Sequence, residues 1–197
     1  MNIANKITIS RIFMSIIILV LLLFPWHQAG VEWPIYEING NIIVELKYLI
    51  AGGLFILASL TDFIDGHIAR KYNMVTDFGK MIDAIADKIL IDAVLVLLAT
   101  IGFIHPVIAV VVIVRDIIVD SIKRYAARKG VVLGSIMMAR VKTILFMVSI
   151  SMILFYNLPF ELIPLRISDF LLALAAILSV ISAVKYYIMA KPYLKDR

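Results

Sequence analysis

Four aspartates carry the chemistry that this sequence offers. Asp62 and Asp65 stand three residues apart and Asp83 and Asp87 four apart, spacings that put each pair on one face of a helix. Between the pairs lie Gly66, Ala69, Arg70 and Gly79. Carboxylates gathered at the edge of an apolar phase repel one another and resist desolvation, so cations must offset them. The chain has no cysteine, and His27, His67 and His105 are scattered, which leaves oxygen donors. Hard oxygen ligands favour Mg²⁺ or Mn²⁺ over zinc. Two such ions form a clamp suited to transfer of a phosphoryl or phosphatidyl group. The small residues let a ligand or a neighbouring helix approach the backbone closely, and Arg70 suits a phosphate. Any one of these aspartates alone reads as a solvated or capping residue. Four in phase across two apolar segments do not. Asp77 is out of phase and reads as a loop or N-capping residue, and Asp92, four residues after Lys88, reads as its ion-pair partner.

The elements that must position these groups are membrane helices. Hydrophobic residues make up 63% of the chain and the mean hydropathy is +1.03, against about 45–50% apolar residues in soluble domains. A water-soluble chain of 197 residues cannot hide that much apolar surface. Six segments approach the roughly 20 residues that cross a bilayer: about 8–26, 42–63, 80–104, 106–127, 136–157 and 167–189. No repeat or low-complexity tract interrupts them. The expectation is an all-α polytopic membrane protein, a single domain over 1–197 with six transmembrane helices around a polar cavity. The first apolar run lacks a small-residue cleavage site and reads as a retained span.

Charge placement orients the chain. The net charge is +5 and the pI about 9.4, but the cations sit between apolar runs rather than on one basic face, which argues against nucleic acid. With six spans, all of the 19 Lys and Arg residues except Lys47 and Arg166 fall on one side or at its span ends. The positive-inside rule puts that side, both termini and the four aspartates in the cytoplasm. The loops carrying Glu32, Glu37 and Glu161 then face outward.

The run Asp62 to Asp87 resembles the signature of the CDP-alcohol phosphotransferase family, D-x-x-D-G-x-x-A-R-x8-G-x3-D-x3-D. Every fixed position is filled, by Asp62, Asp65, Gly66, Ala69, Arg70, Gly79, Asp83 and Asp87. The resemblance implies a six-helix, dimeric enzyme of the bacterial cell membrane, with a cavity open to the cytoplasm. Carried over by position, Asp62, Asp65 and Asp83 are metal ligands. Asp87 is the base that deprotonates the acceptor alcohol, and it also touches a metal. Gly66, Ala69, Arg70 and Gly79 line the cytidine diphosphate pocket with Asp62. The opening Asn5-x-x-Thr8-x-x-Arg11 and the Ala86-Asp87-Lys88 and Tyr186-Tyr187 segments extend the likeness to the bacterial phosphatidylglycerophosphate synthases of that family. This adds Asn5 and Thr8 to the nucleotide pocket and implies CDP-diacylglycerol and glycerol 3-phosphate as substrates.

An anionic acceptor suits the basic residues that follow. Arg115 lies inside an apolar segment, where a charge is costly without a role. Together with Lys123, Arg140 and Lys142 it forms a candidate site for the acceptor phosphate. The bland reading is that such loop cations meet anionic lipid. The chain departs from the synthase pattern at Asp116, Asp120, Ala139-Arg140 and Ala84. Relatives that make cardiolipin from phosphatidylglycerol share the Arg-Asp pair, so that acceptor, an inositol phosphate or serine stays open. From a different class, a divalent-cation transporter would also use intramembrane aspartates, but nearer the bilayer midplane.

Overall fold

The computed structural model describes residues 3–38, 42–71, 76–134, 136–158, 160 and 166–194. Helix α1 (Ile3–Leu23) is built from Ile and Leu without Gly or Pro and stops before Pro25, which cannot continue a helix. Trp26 closes that end by donating from Nε1 to Leu21 O at 2.9 Å. A hairpin of β1 (Ile35–Ile38) and β2 (Ile42–Glu45) follows, antiparallel, with Ile35 opposite Glu45 and Ile38 opposite Ile42. Helix α2 then runs Leu46–Lys71.

Helix α3 (Asp77–Lys88) passes directly into one π-helical turn, Ile89–Ala93, and on into α4 (Val94–Ile101). The three make one rod. It ends at Gly102, whose φ of +91° is the left-handed C-cap that glycine adopts without a Cβ clash. Helix α5 (Pro106–Arg128) starts with proline in its first turn, where the missing N–H costs nothing. Helix α6 (Met137–Leu154) and α7 (Ile167–Leu194) complete the bundle. Asn157 joins these two by accepting from Ser168 N at 3.1 Å.

Packing links α1 to α2 and α3, α2 to α6, α6 to α7 and α7 to α5. The core between them holds Ile18, Phe55, Leu90, Leu95, Leu98, Phe146, Ile150 and Leu172. Polarity is otherwise inverted relative to a soluble fold. Arg11, Asp65, Arg115, Lys142, Ser179 and Ser182 are buried, whereas Phe13, Leu57, Phe63, Val110, Ile117 and Phe170 are exposed. Such a surface fits lipid rather than water. Among the described residues four helices, within 5–23, 46–66, 137–154 and 167–193, are long and apolar enough to cross a membrane.

The sequence-based boundaries shift in three places. Residues 42–45, expected to open the second span, form β2 instead, because Ile-Ile-Val is β-branched and pairs with β1. The chain is therefore helical with one small hairpin rather than purely α. The helix of the expected third span begins at Asp77, earlier than expected. Thr76 is its N-cap, accepting from Gly79 N at 3.0 Å, and Asp77 is the first helical residue instead of the cap. Gly66 does not end α2, which continues to Lys71.

Two adjacent glycines test the α2–α6 contact. A Cβ on Gly52 would lie 2.7 Å from the Phe155 ring and 3.2 Å from Leu154 Cβ, while one on Gly53 meets nothing within 4 Å. Gly52→Val is expected to destabilise the protein by about 1–3 kcal/mol through overpacking. Gly53→Ala is expected to be neutral or to gain up to ~1 kcal/mol of helix propensity. Thermal unfolding of both variants in detergent checks the pair, and equal melting temperatures would contradict the contact.

Candidate active site

The N-terminal turns of α1 present Asn5, Thr8 and Arg11 three residues apart, hence on one helical face. All three side chains are buried, Arg11 completely. They meet the end of α2, carrying Asp62 and Asp65, and the start of α3, carrying Gly79, Asp83 and Asp87. Gly79 permits that approach, since a Cβ there would stand 2.7 Å from Asn5 Oδ1 and 3.0 Å from Thr76 Oγ1.

Arg11 is the centre of the assembly. Its Nη1 lies 2.5 Å from Asp62 Oδ1, 3.1 Å from Asp83 Oδ1 and 3.2 Å from Asp87 Oδ1. Its Nη2 donates to Asp65 Oδ2, which also accepts from Thr8 Oγ1 at 3.0 Å. The cluster has a floor and a mouth: the Asp65 side chain is 4% exposed and those of Asp87 and Asp83 are 40% and 48%. The four aspartates therefore converge on one guanidinium. The sequence reading missed Arg11 as a member of the site. The signal was present, because an arginine inside an apolar helix needs an anionic partner.

One oxygen each from Asp62, Asp83 and Asp87 lies within 4.8 Å of the other two, a group able to hold a metal ion. Oxygens sharing a Mg²⁺ at 2.0–2.1 Å stand at most about 4.2 Å apart, so a small rotation of these carboxylates fits the ion. The donor set is all oxygen, as hard divalent cations prefer. Asp65 is not in this trio; it is turned toward Thr8 and Arg11. Gly66 is half-buried beside it. The side chains of Ala69, Arg70 and Asp77 lie outside the described part of the structure.

A cavity of about 220 Å³ opens beside the cluster. Asp87, Lys88, Asp92, Arg115, Asp116, Asp120, Lys123 and Lys142 line it, with Tyr186. Asp116 receives both Arg115 and Lys142, the latter at 2.8 Å. Arg115 is fixed further by Ser179 O at 2.7 Å and by Ser182 Oγ. Lys123 sits 4.4 Å over the Tyr186 ring, a cation–π contact, and the Tyr186 hydroxyl accepts from Ile136 N at 3.1 Å.

Of the expected acceptor residues, Arg115, Lys123 and Lys142 reach this cavity. Arg140 does not line it and is exposed. Two residues before Lys142 on a helix is about 200° around the axis, the opposite face. Lys88 pairs with Asp120 rather than Asp92. The i,i+4 geometry expected of Lys88 and Asp92 assumes an α-helix, and the π-turn Ile89–Ala93 lies between them. Asp116 and Asp120, noted in the sequence only as departures, prove to be anions that pair with the cations of the cavity.

The Thr76 cap sets where α3 begins and therefore where its carboxylates point. Thr76→Ala is expected to cost about 1 kcal/mol, read as a lower melting temperature. Thr76→Ser, which keeps the hydroxyl, is expected to restore it.

A family model described as CDP-alcohol phosphatidyltransferase matches residues 1–183. A CDP-diacylglycerol–glycerol-3-phosphate 3-phosphatidyltransferase of Bacillus subtilis is 34% identical over 186 residues, 94% of this chain and 93% of that protein. A protein of the same name from Rickettsia felis is 34% identical over 193 residues, 98% of this chain and 97% of that one. Among solved structures, the apo form of Mycobacterium tuberculosis phosphatidylinositol phosphate synthase aligns with a TM-score of 0.60 at 18% identity, covering 98% of this chain and 93% of that one. That likeness supports the fold alone. The family model and the two relatives carry the assignment: this chain belongs to the CDP-alcohol phosphatidyltransferase family.

Proposed function

We propose that this chain transfers the phosphatidyl group of CDP-diacylglycerol to glycerol 3-phosphate, giving phosphatidylglycerol phosphate and CMP. The observation that carries the reading is the position of Asp87. It belongs to the carboxylate trio and also lines the mixed-charge cavity, so one carboxylate stands between a group able to hold a metal ion and the cavity that holds Arg115, Lys123 and Lys142. The names of the bacterial relatives supply the acceptor.

In this reading all six helices span the cell membrane, in one domain over 1–197, with both termini and the site facing the cytoplasm. The protein acts as a homodimer. Asp62, Asp83 and Asp87, with Asp65 beside them, would hold two Mg²⁺ or Mn²⁺ ions. The ions supply electrostatic stabilisation to the pyrophosphate of the donor. Asn5, Thr8, Gly66, Ala69, Arg70 and Gly79 bound the nucleotide side. Arg115, Lys123 and Lys142 hold the acceptor phosphate, and Asp116 and Asp120 fix the directions of the cations.

The chain's own steps are then few. The acyl chains of the donor remain in lipid while its headgroup enters at the mouth formed by Asp83 and Asp87. Arg115, Lys123 and Lys142 in the cavity hold glycerol 3-phosphate by its phosphate, with the C1 hydroxyl toward Asp87. Asp87 removes that proton, the oxygen bonds to the phosphorus bearing diacylglycerol, and the bond from that phosphorus to CMP breaks. CMP leaves as an anion and the proton passes from Asp87 to water.

Purified protein given CDP-diacylglycerol and glycerol 3-phosphate is expected to release CMP and form phosphatidylglycerol phosphate. EDTA should stop the reaction and Mg²⁺ or Mn²⁺ restore it. Preferential product formation from phosphatidylglycerol, inositol phosphate or serine in parallel reactions would overturn the acceptor. Asp87→Asn is expected to lower turnover by about 10²–10⁴-fold, and near-wild-type turnover would remove Asp87 as the base. Lys123→Ala is expected to raise KM for glycerol 3-phosphate by about tenfold, the value of one charge-assisted contact, with kcat little changed.

A further inference from the structure

Arg11 occupies the place that the metal site needs. The three carboxylates whose oxygens can share one ion are those of Asp62, Asp83 and Asp87. Arg11 Nη1 already stands within 3.2 Å of an oxygen on each. An ion bound to all three at about 2.1 Å and a nitrogen this close to all three would nearly coincide. Both are cations, so they exclude each other.

The remaining contacts show how the guanidinium is held. Nη2 is tied to Asp65 at the buried floor of the cluster, where Thr8 supports the same oxygen. Nε is buried without a hydrogen-bond partner. Among the described residues the head group is therefore positioned by carboxylates, and Asp65 is its anchor outside the trio. Nη1 can leave Asp62, Asp83 and Asp87 while Nη2 keeps Asp65. Four carboxylates facing one guanidinium retain an excess of negative charge, so a divalent ion remains attracted while Arg11 is in place.

We infer that Arg11 is a resident counter-cation that competes with the divalent metal for Asp62, Asp83 and Asp87, so that loading the site exchanges one cation for another. Arg11 is a positioning residue in this scheme. It keeps the carboxylates gathered before the ion arrives, and it lowers the apparent metal affinity by having to be displaced. The inference rests on the reading of the trio as a metal site.

The test uses the full chain in detergent with Mn²⁺ as the probe, its binding followed by electron paramagnetic resonance. Arg11→Gln is expected to bind Mn²⁺ about tenfold more tightly than wild type, within the usual range of coupling between competing ligands. Its melting temperature in EDTA should fall, and added Mn²⁺ should raise it by more than in wild type. Loss of a merely structural side chain would not tighten metal binding, so equal or weaker affinity overturns the proposal. If Arg11→Gln cannot be recovered folded, a structure of the wild type with Mn²⁺ decides. Nη1 released from Asp83 and Asp87 with Nη2 still on Asp65 supports the exchange, and Nη1 retained on all three beside the ion overturns it. A wild type that binds no Mn²⁺ at all sinks the metal reading itself, a separate failure with its own signature.

Discussion

A guanidinium enclosed by carboxylates is the interaction on which this bundle is arranged. Neither partner is tolerable alone. Arg11 is wholly inaccessible, and an unpaired buried charge destabilises a fold by several kcal/mol. Asp62 and Asp65 on α2 and Asp83 and Asp87 on α3 would drive their helices apart if left uncompensated. Because Arg11 is three residues beyond Thr8 and six beyond Asn5, the same face of α1 that neutralises the acids also fills the space above Gly79. The relative heights of α1, α2 and α3 follow from that pairing. Apolar packing among Ile18, Phe55, Leu90 and Leu95 then fastens the helices further into the bundle.

A second charged layer stands beside the first and obeys the same rule. Arg115 and Lys142 converge on Asp116, and Lys88 meets Asp120. Here cations and anions are nearly matched, whereas the first cluster is strongly acidic. The two differ in what they can accept. The acidic one offers three carboxylate oxygens close enough to share an ion, and the mixed one keeps Lys123 over an aromatic ring. Asp87 is their common wall. Sorting opposite ligands into adjoining compartments, with a titratable group between them, suits a reaction that joins an alcohol to an activated phosphate.

Much of this was legible from residue spacing, and the limits are physical. The three- and four-residue intervals among the aspartates state their helical phase, and apolar runs of about 20 residues state the medium. What spacing cannot state is which side chain from a distant helix fills the centre. Arg11 counted among the cytoplasmic cations, and its partners are 51 to 76 residues away in sequence. Arg140 shows the converse. Nearness in sequence to Lys142 suggested a shared role, but two residues along a helix turn a side chain to the far face. Residues 42–45 were drawn into a span by hydropathy alone, although their β-branched character already favoured the strand they form.

The π-turn at Ile89–Ala93 has a consequence for how this family member can change. Each residue advances a helix by about 100°, and a π-turn holds one more residue than the α-turn it replaces. The half of the rod before the turn, with Asp83 and Asp87, and the half after it, with Val94, Leu95 and Leu98, therefore keep separate angular settings, like two cams keyed to one shaft. A residue gained or lost in that turn re-clocks one half against the other. The facing of Asp83 and Asp87 can therefore shift by altering the keying of a single turn, while the packing of Leu95 and Leu98 beyond it stays as it was.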